Sequence, residues 1–527
     1  MPTYYVSSTA DNGYAVGNDG NSSAQAQNKA TPWLTVQGAI GNAAVVAGDI
    51  LIINGGAVAG TNLYTATTFF NDAKGLTFQG DNNPVLTCNG AQARVLNQNT
   101  TANTSVISLT LDGLGNATTP LTTSAAASAF TLTVTGCVIR GGTTYGINNA
   151  SVNANLVVSA CSITAPRSCI QSGALATGRI SATSNVMRTT NATSGTEGCI
   201  RASASATGIT AYIANNDLAC VMGVSGAGAN PYGVIHLSNI VSLIERNRIA
   251  ISGAAATVAG VALTTEAAVL AENSTIRWNE IRHSATTGGS SGYLIVVGSD
   301  ATNAANDNQV NYPIIYGNYC SGTAGSSPVL HGILLGFIKA GYVTGNVVDY
   351  CDIHLIAKDT TERSLFINNI LPHSVGADGM MRTKGAVATV FCGQVLGTEA
   401  TTANKAMYVT ADGGTNSTGN VFVANVVNGP WAVTTAVQVD ASQTATFLFN
   451  DYDFLSVSGT PWSYQGVTRA TLALWTTNNE LTARGVPAGV ADKNFWNKVG
   501  VRASPSGGAL PPSGILPPSG ILPPWGQ

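Results

Sequence analysis

The stretch Leu243-Ile-Glu-Arg-Asn247-Arg-Ile249, set against Ile213-Ala-Asn-Asn216-Asp-Leu218 before it and Ile276-Arg-Trp-Asn279-Glu-Ile281 after it, decides the fold. Each is a short apolar strand, an Asn, and a second apolar segment. The phrase extends backwards through Ile180-Ser-Ala-Thr-Ser-Asn185-Val-Met, Val158-Ser-Ala-Cys161-Ser-Ile and Val134-Thr-Gly-Cys137-Val-Ile. It extends forwards through Ile314-Ile-Tyr-Gly-Asn318-Tyr, Tyr342-Val-Thr-Gly-Asn346-Val-Val and Leu365-Phe-Ile-Asn368-Asn-Ile. The steps between marked positions are 24, 24, 31, 31, 32, 39, 28 and 22 residues, the loose period of a solenoid.

The repeated unit alternates with period 2 and is rich in Val, Ile and Thr, which excludes helical repeats. What remains is an all-β solenoid whose coils each carry two or three short strands. Asn185, Asn216, Asn247, Asn279, Asn318, Asn346 and Asn368 are read as a structural ladder of turn amides, each bonded to the next coil. Cys137 and Cys161 are read as the same ladder position, held by buried thiols.

Charged residues make up 9% of the chain, against roughly 25% in an ordinary soluble domain. Solubility then rests on Thr, Ser, Asn and Gly and on hidden strand edges. A net charge of −3 offers no field for nucleic acid. No 18-residue apolar run argues for membrane insertion, and no basic-then-apolar leader is visible. Nine cysteines, an odd number without a C-x-x-C pair, predict free thiols formed in a reducing compartment.

The amino terminus reads Tyr4-Tyr-Val-Ser, a polar loop, Thr31-Pro32-Trp33-Leu-Thr35-Val36-Gln-Gly-Ala39-Ile40-Gly-Asn-Ala43, then Gly48-Asp49-Ile50-Leu-Ile-Ile53. Thr31 as N-cap, Pro32 at the first helical position and an apolar face of Val36, Ala39, Ile40 and Ala43 predict a capping helix. These motifs, with Asn450-Asp451-Tyr-Asp453-Phe, Pro461-Trp462 and Leu472-Ala-Leu-Trp475 near the far end, resemble the right-handed parallel β-helix superfamily of pectate-lyase-like proteins. The resemblance covers residues 4–90 by motif and continues to about 455 by repeat. It implies the fold class, a right-handed parallel β-helix with an N-terminal capping helix. It leaves function open, because the superfamily includes pectin-degrading enzymes, adhesins and bacteriophage tailspikes. A charge-poor, leaderless, Thr/Asn/Gly-rich chain most resembles the phage virion group, whose members are commonly trimers.

The expected organisation is residues 1–49 as strand, loop and capping helix, 50–455 as the parallel β-helix, 456–503 as a C-terminal cap anchored by Trp462, Trp475 and Trp496, and 504–527 as an extended arm. Loops leaving the helix are expected at 285–292, 298–311 and 321–327. The arm repeats Leu-Pro-Pro-Ser-Gly-Ile, and paired prolines favour polyproline II over strand or helix. It reads either as a linker or as a partner-binding arm presenting Leu510, Ile515, Leu516, Ile521, Leu522 and Trp525.

Catalytic candidates are few. Asp217, Arg248 and Glu280 each follow a ladder Asn on consecutive coils, which puts the carboxylates ~9.6 Å apart, near an inverting glycosidase's spacing. Arg248 between them predicts a self-neutralised ladder instead. Asp349, Asp352 and His354, with Lys358-Asp359 and Glu362-Arg363 close behind, concentrate titratable groups. Asp352 and His354, two apart, would share a strand face, the alternative being a solvated face of ion pairs. His236, His283 and His331 are isolated, no metal site is read and no cofactor is expected. The sequence therefore predicts a virion surface protein made in the host cytoplasm. Tailspike, fibre or capsid-attached spike are the forms expected, trimeric, joined to other virion proteins through the arm, and meeting host surface polysaccharide. The alternative is a polysaccharide depolymerase of lyase or hydrolase type.

Overall fold

In a computed structural model the described residues are 1–124, 128–192, 198–222, 232–253, 258–264, 272–284, 292–298, 310–323, 330–375, 379–397, 405–427, 435–452, 462–469, 471–480 and 484–485. They fall into two compact units, Met1–Asn311 and Tyr312–Gln527. Of the loops expected at 285–292, 298–311 and 321–327, residues 285–291, 299–309 and 324–327 lie outside the described residues, as do Trp496 and the whole arm, while Gly292, Gly298 and Ser321 belong to strands.

Both units are all-β parallel solenoids in which each coil gives one strand to each of three sheets. In the first unit, Thr210–Ala214 pairs with Val241–Glu245 in the first sheet, Asp217–Met222 with Arg248–Gly253 in the second, and Ile200–Ala204 with Tyr232–Ser238 in the third. In the second unit, Tyr342–Thr344 pairs with Leu365–Ile367, Val347–Asp349 with Ile370–Leu371, and Ile353–Lys358 with Met381–Lys384. All of these pairs are parallel. Period-2 alternation shows as buried and half-exposed positions taking turns along Ala154–Ser159, with β-branched and Leu side chains turned inward.

The bend from first to second sheet has one rule. A residue with left-handed φ comes first, and the ladder residue follows it. Ser184 (φ 56°), Asn215 (57°), Arg246 (54°) and Trp278 (56°) precede Asn185, Asn216, Asn247 and Asn279, and Gly317 (64°) and Gly345 (61°) precede Asn318 and Asn346. For a residue other than Gly or Asn this conformation costs about 1–2 kcal/mol, and the ladder offsets it. In the first unit Cys137 N donates to Cys161 Sγ at 3.4 Å and Cys161 N to Asn185 Oδ1 at 2.9 Å. Amide-to-amide bonds then run Asn185–Asn216 (2.9 Å), Asn216–Asn247 (2.8 Å) and Asn247–Asn279 (2.9 Å).

In the second unit the bonds run Asn318–Asn346 (2.9 Å), Asn346–Asn369 (2.9 Å) and Asn369–Gln394 (3.0 Å). The ladder residue there is Asn369 and not Asn368, a correction of one position. Asn368 is exposed with φ 51° and takes the turn role that Gly345 has a coil earlier. Two adjacent asparagines hid the difference, since Asn suits both the left-handed turn and the buried rung. Gln394, Asn425 and Asn450 continue the column, and Asn450 Nδ2 donates to Glu480 Oε1 at 2.9 Å.

The amino-terminal strand Thr3–Val6 pairs with Ile50–Asn54. The helix spans Val36–Gly41, and its N-cap is Thr35, whose hydroxyl accepts from Gly38 N at 2.9 Å. Thr31 does not cap it because Trp33 is held extended against the first strand: Trp33 N donates to Tyr5 O and Ser7 N to Trp33 O. Ala43 is exposed, and Val45 is buried in its stead. At the other end Phe366, Phe391, Phe422 and Phe447 stack at 4.5, 5.0 and 5.2 Å between centroids, and Trp475 meets the last ring edge-on at 5.2 Å.

Candidate functional site

Register places Asp217, Arg248 and Glu280 side by side on the second sheet. The recorded ion pairs run elsewhere: Arg188 to Asp217 at 2.5 Å from the preceding coil, and Arg282 to Glu280 at 2.6 Å along the same strand. Each carboxylate thus carries its own guanidinium, from Arg188 and Arg282 rather than Arg248.

Asp349, Asp352 and His354 lie where the second sheet of the second unit turns into the third, all buried. His354 is fully buried, its Nε2 donates to His373 O at 2.8 Å, and its Nδ1 has no hydrogen-bond partner. No Asp352–His354 hydrogen bond forms, because the imidazole is turned into the packed interior. Burial drives its pKa down to about 3, so it stays neutral and is a weak base. The carboxylate–imidazole pair that does form joins Asp349 to His373, one coil on, at 2.7 Å. Asp349 Oδ1 also accepts from Tyr350 N, and the Tyr350 ring stacks on His373 at 4.7 Å. Sequence reading missed His373, which lies 24 residues after Asp349 and so about one coil further on.

Lys358-Asp359 closes the strand Ile353–Lys358, and both side chains are buried rather than solvated. Asp359 and Thr360 adopt successive left-handed conformations, φ 52° and 59°, a strained corner. Burial and a hydrogen bond shared with Asp412 push the Asp359 carboxyl well up. Asp412, against its own burial, is held low by that bond and by Lys384, which lies 2.7 Å away. Asp412 is thus answered by Lys384, and Asp359 lies 3.1 Å from Lys358. On the adjoining outward face Arg382 and Lys405 lie 5.0 and 4.7 Å from the Tyr408 ring, whose hydroxyl donates to Asp440 Oδ2 at 2.9 Å.

In the first unit an open groove of about 250 Å³ crosses the third sheet. Strands Arg94–Gln98, Thr119–Thr123 and Tyr145–Asn149 lie in register beneath it, and Arg94, Thr119, Thr122, Tyr145 and Asn148 line it. Its groups are held in place: an Arg94 Nη donates to Asn97 Oδ1 at 2.8 Å, Thr122 Oγ1 donates to the same oxygen at 3.0 Å, and the guanidinium lies 5.0 Å from the Phe69 ring. An aromatic ring beside hydroxyl, amide and guanidinium groups suits one polar ring such as a sugar. Sequence reading missed this groove, because its residues come from three coils and none is unusual alone. Among the described residues no group of His, Cys, Asp and Glu is placed to hold a metal ion.

No family model matches the sequence, and no characterised protein matches it at sequence level. Among solved structures, tailspike protein 3 of bacteriophage CBA120 is similar over 76% of this chain with 12% identity and a TM-score of 0.36. This chain spans 56% of that protein's length. The GH136 lacto-N-biosidase of Eubacterium ramulus is similar over 92% of this chain and 67% of its own, with 9% identity and a TM-score of 0.22.

Proposed function

We propose that this chain is a virion surface protein of a bacteriophage, a tailspike, fibre or capsid-attached spike that adheres to host polysaccharide. The observation that carries the reading is the groove over Arg94, Thr122, Tyr145 and Asn148, a preorganised polar site with an aromatic wall on a scaffold of hydrogen-bonded coils. Adhesion needs such a rigid surface and no titrating pair. Trimer formation, and attachment to other virion proteins through residues 504–527, belong to the same proposal.

The test is binding of the full-length protein to an array of bacterial surface glycans. Tyr145→Ala and Asn148→Ala should each weaken the recognised glycan by about tenfold, the scale of one lost stacking or hydrogen-bonding partner. Unchanged binding in both would sink the groove reading. No new reducing or unsaturated ends should accumulate in the bound glycan. If they do, and Asp217→Asn or Glu280→Gln abolishes them, the protein is a depolymerase working through those carboxylates.

A further inference from the structure

The outward sides of the two units differ in kind. In the first unit the position after a ladder residue carries charge, and Asp217, Arg248 and Glu280 are register neighbours there. In the second unit the same position holds Val347, Ile370, Val395 and Val426 on successive coils. Beside it the first sheet presents another apolar column in register, Ile314, Tyr342, Leu365, Val390 and Val421. None of these side chains is buried, and Leu365 is 38% exposed. Outward sheet positions ordinarily turn polar, and an apolar patch of several hundred Å² marks an interaction surface. From Leu365 to Ile370 across, and over five coils along, this strip measures roughly 16 Å by 24 Å, about 400 Å². That is half of the ~800 Å² each partner gives to a standard interface, so the strip suits one extended chain better than a second solenoid.

The sequence contains such a segment. Residues 504–527 carry no charged side chain. Their paired prolines favour polyproline II, with three residues per turn and a rise of ~3.1 Å. Leu510, Leu516, Leu522 and Trp525 follow one another at steps of six, six and three residues, so on that backbone they line one side. Leu516 and Leu522 would stand ~19 Å apart. The column from Ile314 to Val421 covers four coil steps of ~4.8 Å, which is also ~19 Å. Residues 486–509 separate the last described strand from Leu510, and at ~3.3 Å each they span up to about 80 Å, enough to reach a neighbouring copy.

We infer that residues 510–525 of one copy lie along this strip on the next copy, with the leucine side of the arm against the two apolar columns. The inference rests on the trimer reading above and names the surface that would hold the trimer together. A proline-stiffened arm loses little conformational entropy on docking.

The test uses the full-length protein with Leu516→benzoylphenylalanine, a photoreactive side chain, made as an equal mixture of unlabelled and 15N-labelled chains. Irradiation should join position 516 to peptides spanning 342–426, with labelled and unlabelled chains linked to each other. L365T/V395T, which keeps β-branched residues at outward strand positions, should lower that yield about tenfold and let the trimer dissociate at about tenfold higher concentration by native mass spectrometry. Should that variant fail to fold, L365T alone carries the same expectation. Links within single chains only, links to another surface, or an unchanged yield in a folded threonine variant overturn the docking. A trimer that persists without links to the strip keeps the trimer reading and removes this surface. A monomeric parent protein removes both.

Discussion

The Asn247 side chain makes four hydrogen bonds: Oδ1 accepts from Asn216 N and Nδ2, and Nδ2 donates to Ile213 O and Asn279 Oδ1. Asn247→Ala would leave several buried groups unpaired at about 1–3 kcal/mol each. Urea denaturation should therefore show a loss of about 3 kcal/mol or more. In the second unit Asn369→Ala should behave likewise, while Asn368→Gly, at a left-handed turn, should shift stability by less than about 0.5 kcal/mol. The reverse order would restore the register read from sequence. Buried imidazoles supply a pH prediction. Burial takes His236 and His354 down to about 3 and His283 to about 4. The unfolded chain takes up protons below about pH 6.5 that the folded chain refuses, so stability is intact above that pH and falls on acidification. Each histidine contributes a slope of up to about 1.4 kcal/mol per pH unit. Denaturation between pH 7 and 4.5 should show it, and His354→Gln should flatten it; a flat profile in the parent protein would contradict the burial. At this scale the sequence revealed residue types but not neighbours. It singled out His354 and Asp349 but not His373, because the imidazole that pairs with Asp349 lies a coil away and the nearer one faces the core.

Elements were easier to read than contacts. The Val/Ile/Thr alternation gave the strands of the first sheet, whereas the buried strand Gly292–Gly298 went unread and its end glycines fall in the loops expected there. The helix at Val36–Gly41 was expected four residues too early, since local capping signals at Thr31 lost to the tertiary pairing of Trp33 with Val6. The end of the second unit combines two columns. Trp475 covers the phenylalanine stack, and its Nε1 donates to Glu480 Oε2 at 2.9 Å while Asn450 and Tyr452 donate to the same carboxylate. Glu480 was not legible as a rung, because it is the one acid in an amide column. Trp475→Ala should cost about 3–5 kcal/mol through the cavity and the lost donor. Nearest-neighbour coils should then open from that end, so hydrogen exchange should quicken at 445–452 before 342–349. Uniform quickening across those coils would contradict the capping role.

For the molecule as a whole, the winding was legible from the period of the ladder, and the surfaces were not, because a groove is assembled from residues about one coil apart with no shared motif. If the arm binds a partner, removing 505–527 should leave the far-ultraviolet spectrum unchanged and abolish incorporation into the particle or trimer, as counted by native mass spectrometry. Normal assembly of the truncated chain would make the arm dispensable. The ladder described above has a mechanical corollary. Within each unit, backbone bonds and amide rungs, joined in the second unit by stacked rings, link one coil to the next in the same direction, so a pull along that direction loads the interfaces in series and the weakest yields first. A push presses all of them together. Such a fold is firm under compression and peels under tension from whichever coil is least well capped.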